Sequence, residues 1–216
     1  TEFRTYLGIV LAATLLIALN LILSMGMDGS MAARVAVFQV TSLSTTGFVS
    51  ADFETWPTFS KMVLLLLMVI GGCAGSTASG IKVARLILLV RNARAVVLQK
   101  LNPNRVVDIT LTGAHVDGAM LLRVGTFFFL YLAVIFVTAF LLAMDGLLPF
   151  DAVAVAITTI GNIGPAFGIV SATSTYAPLS DFSKAILCLT MLLGRLEIFT
   201  LLILLQPSFW RRTYRW

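Results

Sequence analysis

Chemistry in this sequence concentrates in two short glycine loops. Thr45, Thr46, Gly47 and Phe48 follow the apolar segment 31–43, and Asn162, Ile163, Gly164 and Pro165 follow the segment 149–160. Segments of 12 or 13 residues are too short to cross a bilayer and fit re-entrant half-helices. Irregular backbone at that depth persists only where it is buried in protein or lines a watery cavity. A half-helix descending into the membrane aims its negative carboxyl end at the centre. The loop after it can turn carbonyl oxygens inward to replace a cation's hydration shell. Gly47 and Gly164 supply the backbone freedom this requires. Thr45, Thr46, Asn162 and Ile163 contribute neighbouring carbonyls, and Phe48 and Pro165 complete the two filter-like loops.

A third stretch interrupts an apolar run: Gly71, Gly72, Cys73, Ala74, Gly75, Ser76, Thr77, Ala78, Ser79 and Gly80, before Ile81 and Lys82. It is not a phosphate loop, because Ile81 and Lys82 stand where Lys and Ser or Thr are needed. Gly71 and Gly75 fit a helix-packing motif, and that reading stays open. Coil at mid-membrane otherwise implies a place on the pathway below the filter, where it can block ions and move aside. Arg195 lies deep in the last apolar run, where a charge costs roughly 2.5 to 3.5 kcal/mol, so a partner is expected. Glu197 is two residues on and off its helix face. Carbonyls of the 71–80 stretch are better placed, the alternative being snorkelling toward the cytoplasm.

The elements that must position these residues follow from composition and periodicity. Of 216 residues, 59% are hydrophobic and 12% charged, against about 45–50% and 25% in soluble domains; the mean hydropathy is +0.99. The chain is an all-α integral membrane protein, since its apolar runs reach about twenty residues. Spans are expected at 7–27, 61–90 (broken in the middle), 126–144 and 182–205. The two halves superpose: an offset of 117 carries Gly47 onto Gly164 and Asp28-Gly29 onto Asp145-Gly146. After the loops the offset is 123, which carries Ser60 onto Ser183 and Gly71 onto Gly194, six residues having entered the second outer loop. The unit is span, half-helix, filter loop, span, and its two copies occupy 1–95 and 118–216, joined by a linker at 96–117.

Charge orients them. Ten of the fifteen Lys and Arg residues fall on the termini-and-linker side, which the positive-inside rule makes cytoplasmic. Six of the ten acids lie on the opposite side, around the mouth, which excludes a basic anion entrance. Cys73 and Cys188 read as buried thiols, and His115 as a surface residue in the linker. No nucleophile–base pair or metal cluster supports an enzyme. The net charge of +5 is a matter of topology; no basic face interleaved with aromatics suggests nucleic acid.

Several motifs carry a resemblance: STTGF at 44–48, GGCAGSTASGIK at 71–82, GNIGP at 161–165 and GRLEIFTLLILLQPSFWRR at 194–212. Over essentially its whole length the chain resembles the last two of four tandem pore units in a TrkH-type membrane subunit of the Trk, Ktr and HKT potassium transporter superfamily. The resemblance implies a potassium-channel type fold, this chain being half of a fourfold pseudosymmetric pore. It implies K+ as the transported ion, held by carbonyls of Thr45, Thr46, Gly47, Asn162, Ile163 and Gly164. It makes 71–80 with Lys82 an intramembrane gate next to Arg195. It also implies a bacterial inner membrane location, a homodimer, and a cytosolic nucleotide-binding TrkA-type ring on the linker, whose basic residues alternatively meet anionic lipid. One glycine per unit suggests weak discrimination against sodium. An ion-coupled symporter and a membrane scaffold are the competing readings. A symporter needs a mid-span carboxylate, for which only Glu197 qualifies. The chain opens on Thr1 without a leader, so a fragment of a longer polypeptide is expected, with the missing pore units in its N-terminal half or in a second copy.

Overall fold

The computed structural model describes residues 2–76, 78–102, 108–111, 114–196, 198–205 and 209. Thr77, Arg105, Glu197, Gln206, Pro207, Arg211, Arg212 and Arg215 lie outside the described residues. Eight α-helices carry the described fold, with one two-residue hairpin as the only sheet among the described residues.

The first unit is α1 (Glu2–Met25), α2 (Gly29–Leu43), α3 (Thr58–Val69) and α4 (Val83–Leu101). The second is α5 (Gly118–Met144), α6 (Pro149–Gly161), α7 (Asp181–Arg195) and α8 (Ile198–Leu205). At 1.5 Å per residue α1 is about 36 Å long and α5 about 40 Å. These two are long and apolar enough to cross a membrane. The other two expected crossings are each split, α3 from α4 at the 70–82 segment and α7 from α8 beside Arg195.

Local chemistry sets the helix ends. The Asp28 carboxylate caps α2 by accepting from the Ser30 and Met31 N–H groups at 3.0 and 3.4 Å. Hydrogen bonding, chiefly from the Ser30 side chain, holds its pKa below the ordinary value. Its repeat mate Asp145 does a different job. It accepts from the hydroxyls of Ser180 and Ser183, the latter at 2.6 Å, so it ties the end of α5 to the start of α7. Ser60, the mate of Ser183, makes the equivalent tie in the first unit by donating to Asn20 on α1 at 2.8 Å. Pro149 starts α6 where a missing N–H costs nothing.

One hydrophobic core runs through both units. Within each, the half-helix packs between its two spans, and in the first unit α4 also packs on α1; across the units, α3 packs on α6 and α4 on α5. The described residues of the linker include regular structure. Helix α4 continues to Leu101, and strands β1 (Thr110–Leu111) and β2 (Ala114–His115) form an antiparallel hairpin. Ile109 and Val116 join Leu88, Ala95 and Val124 in a separate small core. His115 is exposed and sits against Asp108. The expectation of two buried thiols is corrected: Cys188 is exposed and Cys73 half-buried. An apolar side chain on a bilayer-crossing helix can face lipid, so an apolar neighbourhood in sequence does not imply burial in protein.

Candidate functional site

Both filter-like loops leave their half-helices by the same device. In the first, the N–H groups of Thr45, Thr46 and Gly47 all bond to the carbonyl of Ser42 at 2.8 to 3.0 Å. The Ser42 hydroxyl reaches over the turn and donates to the carbonyl of Phe48 at 2.7 Å. In the second, the Thr158 hydroxyl donates to the carbonyl of Pro165 at 2.7 Å and accepts from the N–H of Gly164 at 3.1 Å. In each case a hydroxyl in the last turns of the half-helix holds the carbonyl that follows the glycine. Gly47 has φ +76° and Gly164 φ +113°, a region that L side chains avoid. Asn162 is the one non-glycine described residue with positive φ, at 52°.

The loops touch. A methyl group placed on Gly47 would lie 1.8 Å from the carbonyl oxygen of Ile163 and 3.0 Å from the ring of Pro165, so the first loop is seated flat against the second. The same test on Gly164 meets nothing within 4 Å. Gly47 and Gly164 are thus alike in backbone and unlike in surroundings.

Sequence reasoning passed over three residues that hold these loops. Gln39 on α2 is fully buried; its amide donates to the carbonyl of Ala51 at 3.3 Å and accepts from the N–H of Ser50 at 3.4 Å, pinning the chain as it leaves the first loop. Tyr6 on α1 shares a hydrogen bond of 3.3 Å with Ser44. Tyr176, in the segment between the second filter-like loop and α7, donates its hydroxyl to the carbonyl of Gly164 at 2.5 Å. Burial raises the Tyr176 pKa to about 12, so at neutral pH it is a fixed donor. The six-residue excess in this loop was the available signal.

The 71–80 stretch leaves α3 and returns to α4 through a closed stem. The N–H of Ile81 bonds to the carbonyl of Val69, the N–H of Gly71 to that of Ile81, and the N–H of Val83 to that of Gly72, at 3.0 to 3.2 Å. Ile70 and Ile81 therefore run side by side in parallel. A methyl on Gly71 would lie 2.3 Å from the carbonyl of Ser79, so only glycine fits there. Beyond the stem the loop is held at its tip and at its side. The Ala74 N–H donates to Glu2 at 2.6 Å, its carbonyl accepts from Lys82 at 3.2 Å, and Ser79 accepts from the Asn162 side chain at 3.1 Å. Asn162 also donates to the carbonyl of Met191 on α7 at 3.1 Å, so one side chain connects filter loop, 71–80 loop and last span.

Two hollows flank the loop. Toward the two glycine loops, a hollow of about 490 Å³ is lined by Thr45, Thr46, Phe48, Asn162 and Arg195 together with Ser76, Ala78 and Ser79. On the other side a cavity of about 290 Å³ is lined by the same three loop residues with Gly80, Lys82, Arg85, Tyr131, Gly194 and Arg195. Arg195 and the loop thus share both hollows, as their alignment in the repeats suggests. Arg85 stacks over the Phe127 ring at 4.0 Å on this wall. Gly194 is there for space: a methyl on it would lie 2.0 Å from the carbonyl of Ile160, where α7 crosses the end of α6.

Comparison with known proteins fits this geometry. Residues 9–212 match the TrkH family, described as a cation transport protein. The Trk system potassium uptake protein TrkH of Salmonella typhimurium is 36% identical over 97% of this chain, and that of Vibrio parahaemolyticus 41% identical over 82%. The crystal structure of the potassium transporter TrkH from Vibrio parahaemolyticus superposes with a TM-score of 0.88 at 37% identity, over 97% of this chain and 45% of that one. The chain spans less than half the length of these relatives, 44% of the Salmonella protein and 36% of the Vibrio one. The chain belongs to the TrkH family of cation transport proteins.

Proposed function

We propose that this chain forms half of a gated, channel-like potassium pathway. Its filter is built from 45–48 and 162–165, and its gate is the 71–80 loop with Lys82 and Arg195. Relatives named as potassium uptake proteins support the ion. The observation that carries the reading is the contact of Gly47 with the Ile163 carbonyl above a loop held to Asn162. Two carbonyl-bearing turns meet edge to edge, as neighbours around an axis must, with small-residue coil below them. K+ is cargo here, coordinated by backbone oxygens, and the residues do no covalent chemistry.

The remaining pore units come from the N-terminal half of the same polypeptide or from a second copy. The termini and the linker face the cytoplasm of a bacterial inner membrane, and the filter mouth faces out. Arg91, Arg94 and Lys100 on α4 offer a basic surface for a cytosolic nucleotide-binding TrkA-type ring, and a homodimer completes the assembly by the same resemblance.

The test is rubidium flux into liposomes holding the assembled transporter. Flux that is passive and independent of a proton gradient is expected, and strict proton dependence would replace the channel with a symporter. Gly47→Ala should abolish flux or selectivity, because its methyl meets backbone that cannot swing away. Deleting residues within 72–79 should raise flux, and unchanged flux would remove the gate assignment.

A further inference from the structure

The hold that Gln39 exerts in the first unit has no counterpart at the same place in the second. The repeat offset of 117 carries Gln39 onto Ala156, and carries Ala51, whose carbonyl Gln39 holds, onto Gly168. Ala156 is fully buried and its methyl can neither donate nor accept, so α6 cannot pin the chain leaving 162–165 as α2 pins the chain leaving 45–48. Gly168 is held from elsewhere. Its N–H donates at 3.1 Å to Oε2 of Glu54, a residue of the first unit 114 positions earlier. The other carboxylate oxygen, Oε1, accepts from Nζ of Lys61 near the start of α3 at 2.7 Å.

We propose that Glu54 is a positioning residue for the second filter-like loop, doing from the neighbouring unit what Gln39 does within the first. The segment it grips has little slack. The Ala166 N–H bonds to the carbonyl of Val170 at 2.8 Å, which closes a turn immediately after Pro165. Phe167, fully buried in that turn, packs against Phe53 of the first unit and Phe150 of the second, with ring centroids 5.3 and 6.0 Å away. Gly168 has φ +71°, and a methyl on it would lie 2.1 Å from the Asp151 carboxylate at the start of α6, so the turn is seated on α6 while its N–H is held by Glu54. A displacement at Gly168 therefore passes back to 162–165. Glu54 is itself fixed, by its N–H to the Asp52 carboxylate at 3.0 Å and by Lys61. A carboxylate oriented by an ammonium is a stronger acceptor for an N–H than an amide oxygen, which suits a tie made between units. The inference rests on the reading of 162–165 as part of the filter.

The experiment measures rubidium uptake, and its competition by sodium, in liposomes holding the assembled transporter with changes at Glu54. Glu54→Ala removes the acceptor, and the preference for rubidium over sodium should fall roughly tenfold, the equivalent of one hydrogen bond to a charged group. Glu54→Gln keeps an oxygen for Gly168 and should recover most of that preference. The exchange of Glu54→Lys with Lys61→Glu restores the ion pair but puts a donor where Gly168 needs an acceptor, so it should be as defective as Glu54→Ala. Unchanged preference in Glu54→Ala overturns the proposal. So does a normal preference in the exchanged pair, which would reduce Glu54 to a partner for Lys61, and so does Glu54→Gln behaving like Glu54→Ala. If Glu54→Ala does not assemble, the other two decide: a recovered Glu54→Gln with a defective exchanged pair supports the proposal, and any other result overturns it. Failure here is separable from failure of the filter reading. If Gly47→Ala changes the preference and Glu54→Ala does not, only the role of Glu54 is lost; if neither does, the filter assignment falls as well.

Discussion

The position of Tyr176 shows how much one side chain contributes at this site. It reaches from the segment before α7 to the carbonyl of Gly164, a glycine whose Cβ direction is open in this chain. The neutral phenol is the donor, and its pKa is raised from 10.0 to about 12 by burial. A raised acid pKa means that the folded state favours the protonated form. Its stabilisation is therefore complete below pH 10 and is lost as pH rises from 10 through about 12. Selectivity of the assembled transporter should hold up to about pH 10 and decline above it, a decline that Tyr176→Phe should remove while lowering selectivity at every pH. Replacing the donor costs about 1 kcal/mol of the loop's hold on the filter. Gly47 and Gly164 are legible in the sequence because a glycine at the same place in two copies of a unit points to a backbone requirement. Tyr176, Gln39 and the hydroxyls of Ser42 and Thr158 are not, because what they bond to is backbone several residues away, and no spacing rule announces that.

At the scale of elements, α6 and α7 cross where Gly194 meets the carbonyl of Ile160. Gly194→Ala is expected to push the two helices apart or to tilt the end of α6, displacing the filter loop that follows. Overpacking of this kind costs typically about 1 to 3 kcal/mol. The check is a paired measurement: thermal stability of the detergent-solubilised transporter should fall, and its ion preference should change in step. Intact selectivity would mean that the strain stays outside the filter. The alignment of Gly71 with Gly194 was legible, and the structure gives each a separate backbone clash to avoid, with Ser79 and with Ile160. The break at 70–82 was legible too, since glycine-rich composition argues against continuous helix; the split of the expected 182–205 span beside Arg195 was not. The hairpin at Thr110–Leu111 and Ala114–His115 was not, because two-residue strands leave no hydrophobic period to detect.

For the whole molecule the comparison of α2 with α6 bears on the proposed architecture. From Ala154 to Gly161 every residue of α6 is buried, since α3 of the first unit covers a face that α5 and α7 leave open. Helix α2 has no such neighbour: Met31, Val37 and Phe38 are exposed, at 48%, 49% and 42%. Under the proposed pore, the uncovered face of α2 is the place for a span from another unit, just as the open side of Gly164 is the place for another loop. A cysteine substituted for Val37 should react with a maleimide in this chain alone and be protected in the assembled transporter. The isolated chain should pass no rubidium. Protection absent from the assembly would place the missing units elsewhere. The sequence repeat predicted that something was missing, whereas which faces it must cover became visible only when the burial of two equivalent helices could be compared.

The stem of the 71–80 loop has a consequence of another kind. Because Ile70 and Ile81 pass side by side, α3 and α4 are joined as though the residues between them had been left out of the span. The length and composition of the loop are then independent of the register of the helices that cross the membrane. A loop hung in this way can be lengthened, shortened or rewritten without re-aligning the scaffold, so, if it is the gate proposed above, the conditions under which the pathway opens can diverge among relatives while the 45–48 and 162–165 loops stay in place.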